Sequence, residues 1–520
     1  MYETPGLGRQ IAKGAGWTVM MRLSVLGIGT ISTLILARLL TPADFGLVTL
    51  ATAFSAGLAA ISEFSFDVVL IQNQSAGRSY YDTAWTLQVL RNVILAACLG
   101  FAAMPIAVFF EDPRIETVVY CLAGITLLDG FQNIGTVDFR KHLLFHKDFV
   151  FMVVAKIAMF VVAVPLAYSL RNYWALVAGI ASGAVARLVL SYSLHRYRPR
   201  VSLIKWRNIM RFSKWLLANN GINFGKDRAD TFVIGKLVGA HAVGIYSVAS
   251  EIALLTMSAL MAPLRRAVFP GFAQVSHNPE SLRKTFYDVL SLVILLSTPV
   301  AVGIGLVAAP LVHVALGEQW LEAIPLIRVL TIYGFLSILE TGTSPVYLAT
   351  ARPHFVTWLM GGNVLILIPA LIFGVHYAGL LGVAWALTLA AALTAVVDLV
   401  VVVRLLKLRV PRIIGVVWRP LVATALMGFA VVELQAYWPN PESVVHWGAI
   451  LLAAIALGAV VYPFVVAVLW FASGQPDGAE RHVLVAIRQL LLRFRNRGAG
   501  GGARDKGSVR WTESGGSTSS

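Results

Sequence analysis

Runs of 18 or more apolar residues recur from one end of the chain to the other, and they restrict its fold more than any other feature. Each run is long enough to cross a hydrocarbon core of about 30 Å as a helix. The runs do not alternate apolar and polar residues, as the strands of a transmembrane barrel do. Only 13% of the residues are charged, against roughly 25% in a soluble domain. The sequence therefore predicts an all-α polytopic membrane protein.

We predict fourteen transmembrane helices from these runs. The first continues from Trp17 to Leu40, which is too long for the apolar part of a cleaved secretory signal. The fourteen helices are placed near residues 17–40, 45–70, 84–109, 115–138, 149–170, 173–194, 212–236, 242–268, 286–308, 322–347, 355–375, 379–404, 415–435 and 446–472.

Positive charge is concentrated in alternate loops. With the N-terminus in the cytoplasm, the inner loops hold about twenty Lys and Arg, and the outer loops hold about four, namely Arg38, Arg114, Arg171 and Lys236. Basic loops stay on the cytoplasmic side of membrane proteins, so both termini are predicted to be cytoplasmic. The net charge of +16 comes largely from these loops and indicates contact with anionic membrane lipids rather than nucleic acid.

An internal repeat divides the chain into halves. The stretch LARLLTPADFGLVTLA, which contains Arg38 and Gly46, matches IGKLVGAHAVGIYSVA, which contains Lys236 and Gly244 at the same spacing. A second match pairs WALVAGIASGAVARLVL with WALTLAAALTAVVDLVV. We therefore expect two six-helix lobes of the same orientation, related by a pseudo-two-fold axis along the membrane normal, with a cavity between them and two additional helices.

The predicted organisation has five parts. They are an N-terminal lobe (1–205), a C-terminal lobe (206–412), two additional transmembrane helices (413–475), a basic amphipathic helix on the inner leaflet (476–497) and a disordered Gly/Ser-rich tail (498–520).

Sequence patterns typical of enzymes are missing. The chain contains no HExxH, GxSxG or CxxC, and GINFGK has one residue too few between its glycines for a phosphate-binding loop. We predict no catalytic residue, no cofactor and no metal site, and therefore a protein that is not an enzyme.

Two blocks of sequence resemble a known family. LARLLTPADFGLVTLATAF with FDVVLIQNQ, and DTFVIGKLVGAHAVGIYSVASEI, are similar to the polysaccharide-transporter flippases, especially their colanic-acid-exporter-like branch. The similarity covers about residues 10–410. The superfamily of these flippases also holds multidrug and toxin extrusion transporters and the lipid II flippase.

This resemblance implies a flippase of the bacterial inner membrane. Such a protein moves an undecaprenyl-diphosphate-linked oligosaccharide to the periplasmic leaflet by alternating access, for exopolysaccharide or O-antigen synthesis. It also implies work alongside a polysaccharide polymerase and export proteins, with H⁺ or Na⁺ as a possible coupling ion.

Many charged residues fall inside the predicted helices, where each costs about 2.5–3.5 kcal/mol at the bilayer centre. Such charges are expected to face a cavity or one another. They are Arg22, Glu63, Asp67, Arg91, Asp129, Lys156, Arg187, Lys226, Asp227, Arg228, Asp230, Glu251, Arg328, Glu340 and Asp398.

The candidate site is drawn from these charges and from a polar stripe on helix 7. Cations and amides suit a diphosphate and its sugars, since guanidinium binds phosphate oxygens in a fork. The predicted substrate-binding residues are Arg22, Arg91, Asn219, Asn223, Lys226 and Arg228. The predicted coupling or switch residues are Asp67, Asp227, Asp230 and Glu251.

Structural explanations stay open for the same residues. Arg22 and Arg91 lie near enough to the inner interface to extend into water. The helix-7 charges form either a cavity wall or a salt-bridge network between the lobes, and Arg187 is expected to neutralise Asp398 in the other lobe. Two other functions also remain open: a cation-coupled drug exporter of the same superfamily, and a glycan polymerase or ligase, which the short outer loops disfavour.

Overall fold

The computed structural model describes residues 7–62, 64, 66–207, 209, 224–225, 228–352, 354–438, 443–476 and 478–481. Every regular element in these ranges is helical. The fold therefore agrees with the predicted all-α class.

The chain up to Leu194 forms eight helices, two of them short. A 3₁₀ turn at Ile134–Thr136 leads into the second short helix. The bounds are α1 (Leu7–Leu39), α2 (Pro42–Ile61), α3 (Phe66–Gln72), α4 (Arg78–Phe110), α5 (Arg114–Gly130), α6 (Val137–Lys141), α7 (Phe145–Leu170) and α8 (Trp174–Leu194).

Eight more helices follow, and one of them is broken. It contains Ala378 and Gly379 in non-helical conformations, and the φ of +56° at Gly379 is one that glycine adopts without strain. The bounds are α9 (228–237), α10 (Ala240–Val275), α11 (Pro279–Leu306), α12 (Ala308–Leu311), α13 (Ala323–Ala349), the broken α14 (His354–Leu406), α15 (Val410–Ala436) and α16 (Val444–Ala472).

Ten of these helices are long and apolar enough to cross a membrane, and an eleventh crossing results if α5 and the bent segment after it are counted together. The chain is thus a multi-span membrane protein, while the count of fourteen stays a prediction. One predicted span is wrong in its extent. Helix 2 was expected to continue to residue 70, but α2 ends at Ile61 and α3 is a separate short helix.

The turn between α1 and α2 is fixed by the sequence TPAD. Thr41 caps α2 by accepting a hydrogen bond from the backbone of Asp44 (3.3 Å), and the Asp44 carboxylate accepts one from the Thr41 backbone (3.0 Å). Pro42 occupies the first helical position, where its missing N–H costs nothing. This reciprocal capping box starts α2 immediately after α1 ends.

The first and second halves of the chain meet where α2 crosses α10 near their first turns. Gly46 permits the crossing, because a Cβ at this position would lie 1.6 Å from the carbonyl oxygen of Ala240. The largest buried apolar cluster surrounds the crossing and includes residues of both halves, such as Leu47, Val243 and Leu326.

The chain turns back into the protein after α16. Gly474 and Gln475 adopt positive φ values, and the Trp470 indole donates to the carbonyl of Pro476 (3.1 Å). Ala479 then packs in an apolar cluster with residues of α11, α15 and α16. Glu480 is 4% exposed, so it lies inside the protein rather than on the membrane surface where the amphipathic helix was predicted. Residues 482–497 of that helix lie outside the described residues.

Candidate functional site

A cavity of about 930 Å³ lies between the two halves of the chain. Residues of α1, α2, α9, α10, α13 and α14 line it, so both halves contribute to its wall. Hydroxyl, amide and carboxyl groups predominate among the polar side chains that the structure describes there: Thr49, Thr52, Asp230, Thr231, Tyr246, Ser247, Ser250, Glu251, Tyr333, Ser337, Glu340 and Asn363. Arg228 also lines the cavity.

Asp230 is held in the cavity wall by hydrogen bonds. The Tyr246 hydroxyl on α10 donates to one carboxylate oxygen, and the backbone N–H of Thr231 donates to the other (2.6 Å). Because Tyr246 follows Asp230 across the α9–α10 turn, these bonds stay within one half of the chain. Asp230 thus has a fixed orientation in the cavity wall.

Glu251 instead connects the two halves. It lies on α10, and its carboxylate accepts a hydrogen bond from the Thr33 hydroxyl on α1 (3.1 Å). The Lys156 ammonium on α7 is close enough to interact with this carboxylate electrostatically. A movement of α10 relative to α1 must therefore break or exchange a contact of Glu251.

The end of the bundle at the α1–α2 turn is the one that the loop charges predict to be outer, and two reciprocal contacts close it. Arg38, at the end of α1, donates to the carbonyl of Val314 in the second half (2.5 Å). Lys236, at the end of α9, pairs with Glu111 in the first half (2.9 Å). Lys236 lowers the pKa of Glu111 through this hydrogen bond and through its charge.

Aromatic and amide contacts reinforce the closure. Val314 lies in a π-helical turn, Val312–Leu316, and a 3₁₀ turn, Glu318–Trp320, follows it. From the second turn, Trp320 and Gln319 both donate to the carbonyl of Ala37 at the end of α1 (2.7 and 2.6 Å). These donors satisfy a carbonyl group that the end of α1 leaves without a helical partner.

An apolar cavity of about 430 Å³ adjoins the polar one. It lies among α11, α13, α14 and α15, and its lining includes Phe286, Leu290, Phe335 and Trp418. Glu340 lines both cavities. A polar compartment between the two halves and an apolar compartment within the second half therefore lie side by side.

The structure brings three of the predicted site residues to the cavity: Arg228, Asp230 and Glu251. Arg22 is exposed on α1 and Arg91 is half-buried on α4, and neither belongs to the described cavity lining. Asn219, Asn223, Lys226 and Asp227 lie outside the described residues. Their roles stay predictions.

Two predicted placements are wrong. Asp67 does not lie in a transmembrane helix with Glu63, because α2 has already ended. It lies on α3 and pairs with Arg140 of α6 (3.7 Å). Glu63 is outside the described residues.

Arg187 does not neutralise Asp398. It pairs with Asp129 of α5 in its own half (3.1 Å). Asp398 accepts hydrogen bonds from Thr343 (2.9 Å) and Tyr347 (2.8 Å) on α13. Asp129 is thus paired within its own half, and Asp398 accepts hydrogen bonds from α13 of its own half.

Sequence reasoning missed one buried ion pair. Arg419 of α15 and Glu480 lie 3.1 Å apart, with side chains only 4% and 3% exposed. Arg419 interrupts an apolar run, which is the signal that marked the other intramembrane charges. Nothing local in the sequence indicates that its partner comes from beyond α16.

The described residues contain no group of three or more His, Cys, Asp or Glu side chains placed to hold a metal ion. His142 and His146, four positions apart, do not form such a group with any acid in that part of the chain.

Residues 35–325 match the pattern of the family described as polysaccharide biosynthesis protein, over more than half of the chain. The chain belongs to this family. The resemblance stated from the sequence is thereby confirmed, and with it a place in polysaccharide biosynthesis at a membrane.

Several known proteins are similar to this family member. The lipopolysaccharide biosynthesis protein WzxC of Escherichia coli is 25% identical over 76% of the chain and 82% of its own length. The teichuronic acid biosynthesis protein TuaB of Bacillus subtilis is 24% identical over 88% and 96%. The succinoglycan biosynthesis transport protein ExoT of Rhizobium meliloti is 26% identical over 62% and 66%.

Two solved structures show the same fold. An inward closed conformation of the lipid II flippase MurJ is 13% identical, covers 89% of this chain and 99% of its own, and gives a TM-score of 0.67. An inward-facing multidrug resistance transporter, described as a MATE family member of the MOP superfamily, is 15% identical, covers 75% of this chain and 99% of its own, and gives a TM-score of 0.60.

Proposed function

We propose that the protein is a flippase for a lipid-linked oligosaccharide, and that it carries the undecaprenyl-diphosphate-linked unit across a bacterial inner membrane. The observation that supports this most is the pair of adjoining cavities, one polar and one apolar, with Glu340 in the lining of both. An amphipathic molecule with a large polar headgroup and a hydrocarbon tail matches this pair of compartments.

The polar cavity provides the chemistry that a glycan headgroup needs. Its hydroxyl, amide and carboxyl groups both donate and accept hydrogen bonds, as sugar hydroxyls do. Arg228 supplies a guanidinium for phosphate oxygens. We also assign substrate contact to Arg22, Arg91, Asn219, Asn223 and Lys226, as the sequence predicts.

The hydrocarbon tail is assigned to the apolar cavity and to the lipid beside it. Lipid hydrocarbon is as apolar as the lining of this cavity, so the tail can move between the two at little cost, whereas contact with the polar cavity would leave polar groups without hydrogen-bond partners. Glu340 then marks the point where headgroup and tail meet.

Transport proceeds by alternating access between two six-helix lobes, within a bundle of fourteen crossings whose termini are both cytoplasmic. The outer contacts of Arg38 and Lys236 are made in this state, so the cavity is approached from the inner side. The lobes then rock, these contacts break, and the headgroup leaves on the other side.

Direction requires a free-energy source, because a ligand shifts an equilibrium only by its difference in affinity for the two states. We assign H⁺ or Na⁺ coupling to Asp230 and Glu251, which have oriented carboxylates in the cavity, together with Asp67 and Asp227. Consumption of the glycan outside, by a polymerase and export proteins, is the other source. None of these steps needs enzymatic chemistry.

The relatives support this assignment through their names. They concern lipopolysaccharide biosynthesis and succinoglycan biosynthesis transport, and the structural neighbour is a lipid II flippase. The remaining candidate is a cation-coupled drug exporter, which the carboxylates of Asp230, Glu251 and Glu340 in the cavity favour.

Reconstitution in liposomes separates the two candidates. We expect the protein to move a polyprenyl-diphosphate oligosaccharide across the bilayer, measured as the fraction that a membrane-impermeant lectin reaches. Glu340→Gln should slow this movement about tenfold, since it removes a charged hydrogen-bonding group at the cavity junction. Glu433→Gln, an exposed acid of α15 outside both cavities, is the matched control. Proton-driven uptake of a cationic dye with no glycan movement would establish the exporter instead.

A further inference from the structure

The segment that follows the first half of the chain is packed against the protein. After α8 ends, residues 195–207, here called the linker segment, run across the beginning of α4. The backbone N–H groups of Arg200, Ser202 and Lys205 donate to the side chains of Asp82 (2.9 Å), Thr86 (2.9 Å) and Thr83 (3.3 Å), respectively.

A second set of contacts fixes the start of the segment. Asn133, which is fully buried, donates to the carbonyl of Tyr197 (2.6 Å), and the Tyr197 hydroxyl donates to Asp82. Burial and this hydrogen bond raise the pKa of the Tyr197 hydroxyl, so it stays protonated as a donor. The linker segment is therefore held in one conformation.

These contacts also give the depth of the linker segment. An α-helix rises 1.5 Å per residue, so Thr86 lies about 6 Å further along α4 than Asp82 and about 4.5 Å further than Thr83. The segment thus advances along α4, away from the beginning of this helix, from Arg200 to Ser202, and it has turned back toward the beginning of α4 by Lys205. Its highest point comes one helical turn before Leu90, an apolar residue of α4 that is 49% exposed and that we expect to face lipid.

The side chains at the highest point are apolar and exposed. Val201 is 81% exposed and Ile204 78%, with Leu203 and Trp206 at 49% and 46%. No other described element covers them. Exposed apolar side chains on a segment that rises toward the hydrocarbon are typical of insertion into a membrane interface.

The side chains on either side of this point are basic. Arg196, Arg198 and Arg200 are exposed and alternate with inward-facing residues along the extended backbone, so they follow one another at about 7 Å. Arg207 is exposed beyond it. The cations of Arg198 and Lys205 lie over the rings of Tyr192 and Tyr80, which keeps them at the rim.

We propose that the linker segment is a docking surface for anionic phospholipid headgroups of the inner leaflet. Its apolar residues enter the boundary between headgroups and acyl chains, while the arginines and Lys205 contact lipid phosphates around them. The surface holds the connection between the two lobes at a fixed depth. This role is separate from glycan transport and does not rest on it.

Phospholipid is favoured over the transported lipid as occupant because of position. The linker segment packs on α4, whereas the described lining of the central cavity comes from α1, α2, α9, α10, α13 and α14. A row of cations at the leaflet surface suits many copies of an anionic headgroup. Each cation adds to the electrostatic attraction for the lipid, and salt screens that attraction.

Lipid selection by the full-length protein tests the proposal. In nanodiscs of phosphatidylcholine with a minor fraction of spin-labelled phosphatidylglycerol, we expect preferential association of the anionic lipid at low salt. The variant R196Q/R198Q/R200Q/K205Q should lower the relative affinity at least about tenfold, and high salt should remove most of the difference.

The matched control removes four exposed cations from the inner face of the second half, as K284Q/R404Q/K407Q/R412Q. It changes net charge equally but spares the linker segment, so it should retain most of the selectivity. Equal losses in both variants overturn the proposal, because the effect would then be one of total charge. So does a linker variant that binds phosphatidylglycerol normally but loses binding of undecaprenyl diphosphate, since the cations would then serve the transported lipid.

Depth measurement provides an independent test. With Cys98 and Cys121 replaced by Ser, a nitroxide at Ile204→Cys should be more accessible to oxygen than to a polar nickel reagent, as in the membrane. A nitroxide at Arg196→Cys should show the reverse. Water-like accessibility at position 204 in a folded protein overturns the proposal whatever the lipid selectivity.

Discussion

Gly46 and Gly244 lie at the same place on two crossing helices, and the contact between those helices is reciprocal. A Cβ on Gly46 would come 1.6 Å from the Ala240 carbonyl oxygen, and a Cβ on Gly244 would come 1.7 Å from the Pro42 carbonyl oxygen. Each glycine thus faces the first residue of the other helix. The sequence repeat pairs these residues at the same spacing, so the crossing has the geometry expected on a local two-fold axis.

Replacing either glycine by alanine should destabilise the protein. The added methyl group meets backbone rather than a movable side chain, so the helices must separate, at a cost of about 1–3 kcal/mol or more. We expect Gly46→Ala and Gly244→Ala to lower the midpoint of thermal unfolding in detergent by similar amounts. Gly100→Ala is the control, because no described atom beyond its own helical turn lies within 4 Å of its Cβ position. Unequal effects of the two variants would argue against a symmetric crossing.

The outer contacts of Arg38 and Lys236 should set the balance between closed and open states. We expect Arg38→Met and Lys236→Met each to increase the population open at the outer end, because each removes one contact between the halves. Spin labels at Ser169→Cys and Leu321→Cys, in a background without the native cysteines, report the outer distance. Lys236→Arg should restore the closed distance, since it can still pair with Glu111. A distance distribution unchanged in Lys236→Met would show that this contact has no part in closure.

The pair of Lys236 and Glu111 also predicts a pH dependence. The pKa of Glu111 lies below its ordinary value of 4.5 while the pair is made, and it returns toward that value when the halves separate. The pair therefore favours the closed state fully above about pH 4.5, and this preference is lost as the pH falls through the lowered pKa. The outer distance should lengthen in that range in the native protein. Glu111→Gln should lack this step, and the same step in that variant would assign the effect to another group.

The parts of the fold that follow from local sequence were predictable. Apolar runs indicated most of the described helices, although α1, α10 and α11 extend beyond the predicted spans. The break before α3 was missed because the polar residues Glu63 and Asp67 were interpreted as charges inside one long span. In the structure Phe66 and Leu70 of α3 pack in a cluster with residues of α4 and α6. Periodicity in one helix likewise could not indicate that Arg187 pairs with Asp129 rather than Asp398, since the choice depends on which helices are neighbours.

The polar character of the candidate site was predictable from the sequence, but the set of residues that form it was not. The charges of helix 7 indicated a polar wall, and Asp230 and Arg228 do line the cavity. Tyr246, which orients Asp230, is an aromatic residue in an apolar run and carries no signal of its own. Its role depends on the α9–α10 turn, which brings two distant positions of one hairpin together.

The buried pair of Arg419 and Glu480 predicts a strong asymmetry between single and double substitutions. Glu480→Gln leaves the Arg419 charge buried without its counter-charge, which costs about 3–5 kcal/mol. Replacing both residues by methionine removes both charges and should cost much less. The Arg419 Nη1 atom and both carboxylate oxygens of Glu480 lack well-aligned hydrogen bonds, so little beyond charge is lost.

Thermal unfolding of the two variants and of Lys407→Gln, an exposed cation at the same end of the bundle, measures this difference. We expect the order of stability to be Lys407→Gln, then the double variant, then Glu480→Gln. A double variant as unstable as Glu480→Gln would show that the pair acts through specific geometry rather than through charge compensation.

Asp230→Asn separates a role in transport from a role in structure. The amide keeps the shape of the carboxylate: its oxygen still accepts from the Thr231 N–H, and its NH₂ group can donate to the Tyr246 hydroxyl, so the fold should keep its unfolding midpoint. The charge in the cavity is lost, and with it any binding of a coupling ion, so the rate of glycan translocation should fall about tenfold or more. In Tyr246→Phe the charged carboxylate loses the hydroxyl that orients it. The rate of glycan translocation should therefore fall less than in Asp230→Asn, and it should still depend on the ion gradient.

The measurement is the accumulation of lipid-linked sugar in cells that rely on this protein, at matched protein levels. Normal export by Asp230→Asn would remove this residue from the mechanism and leave Glu251 and Glu340 as the described acids of the cavity lining.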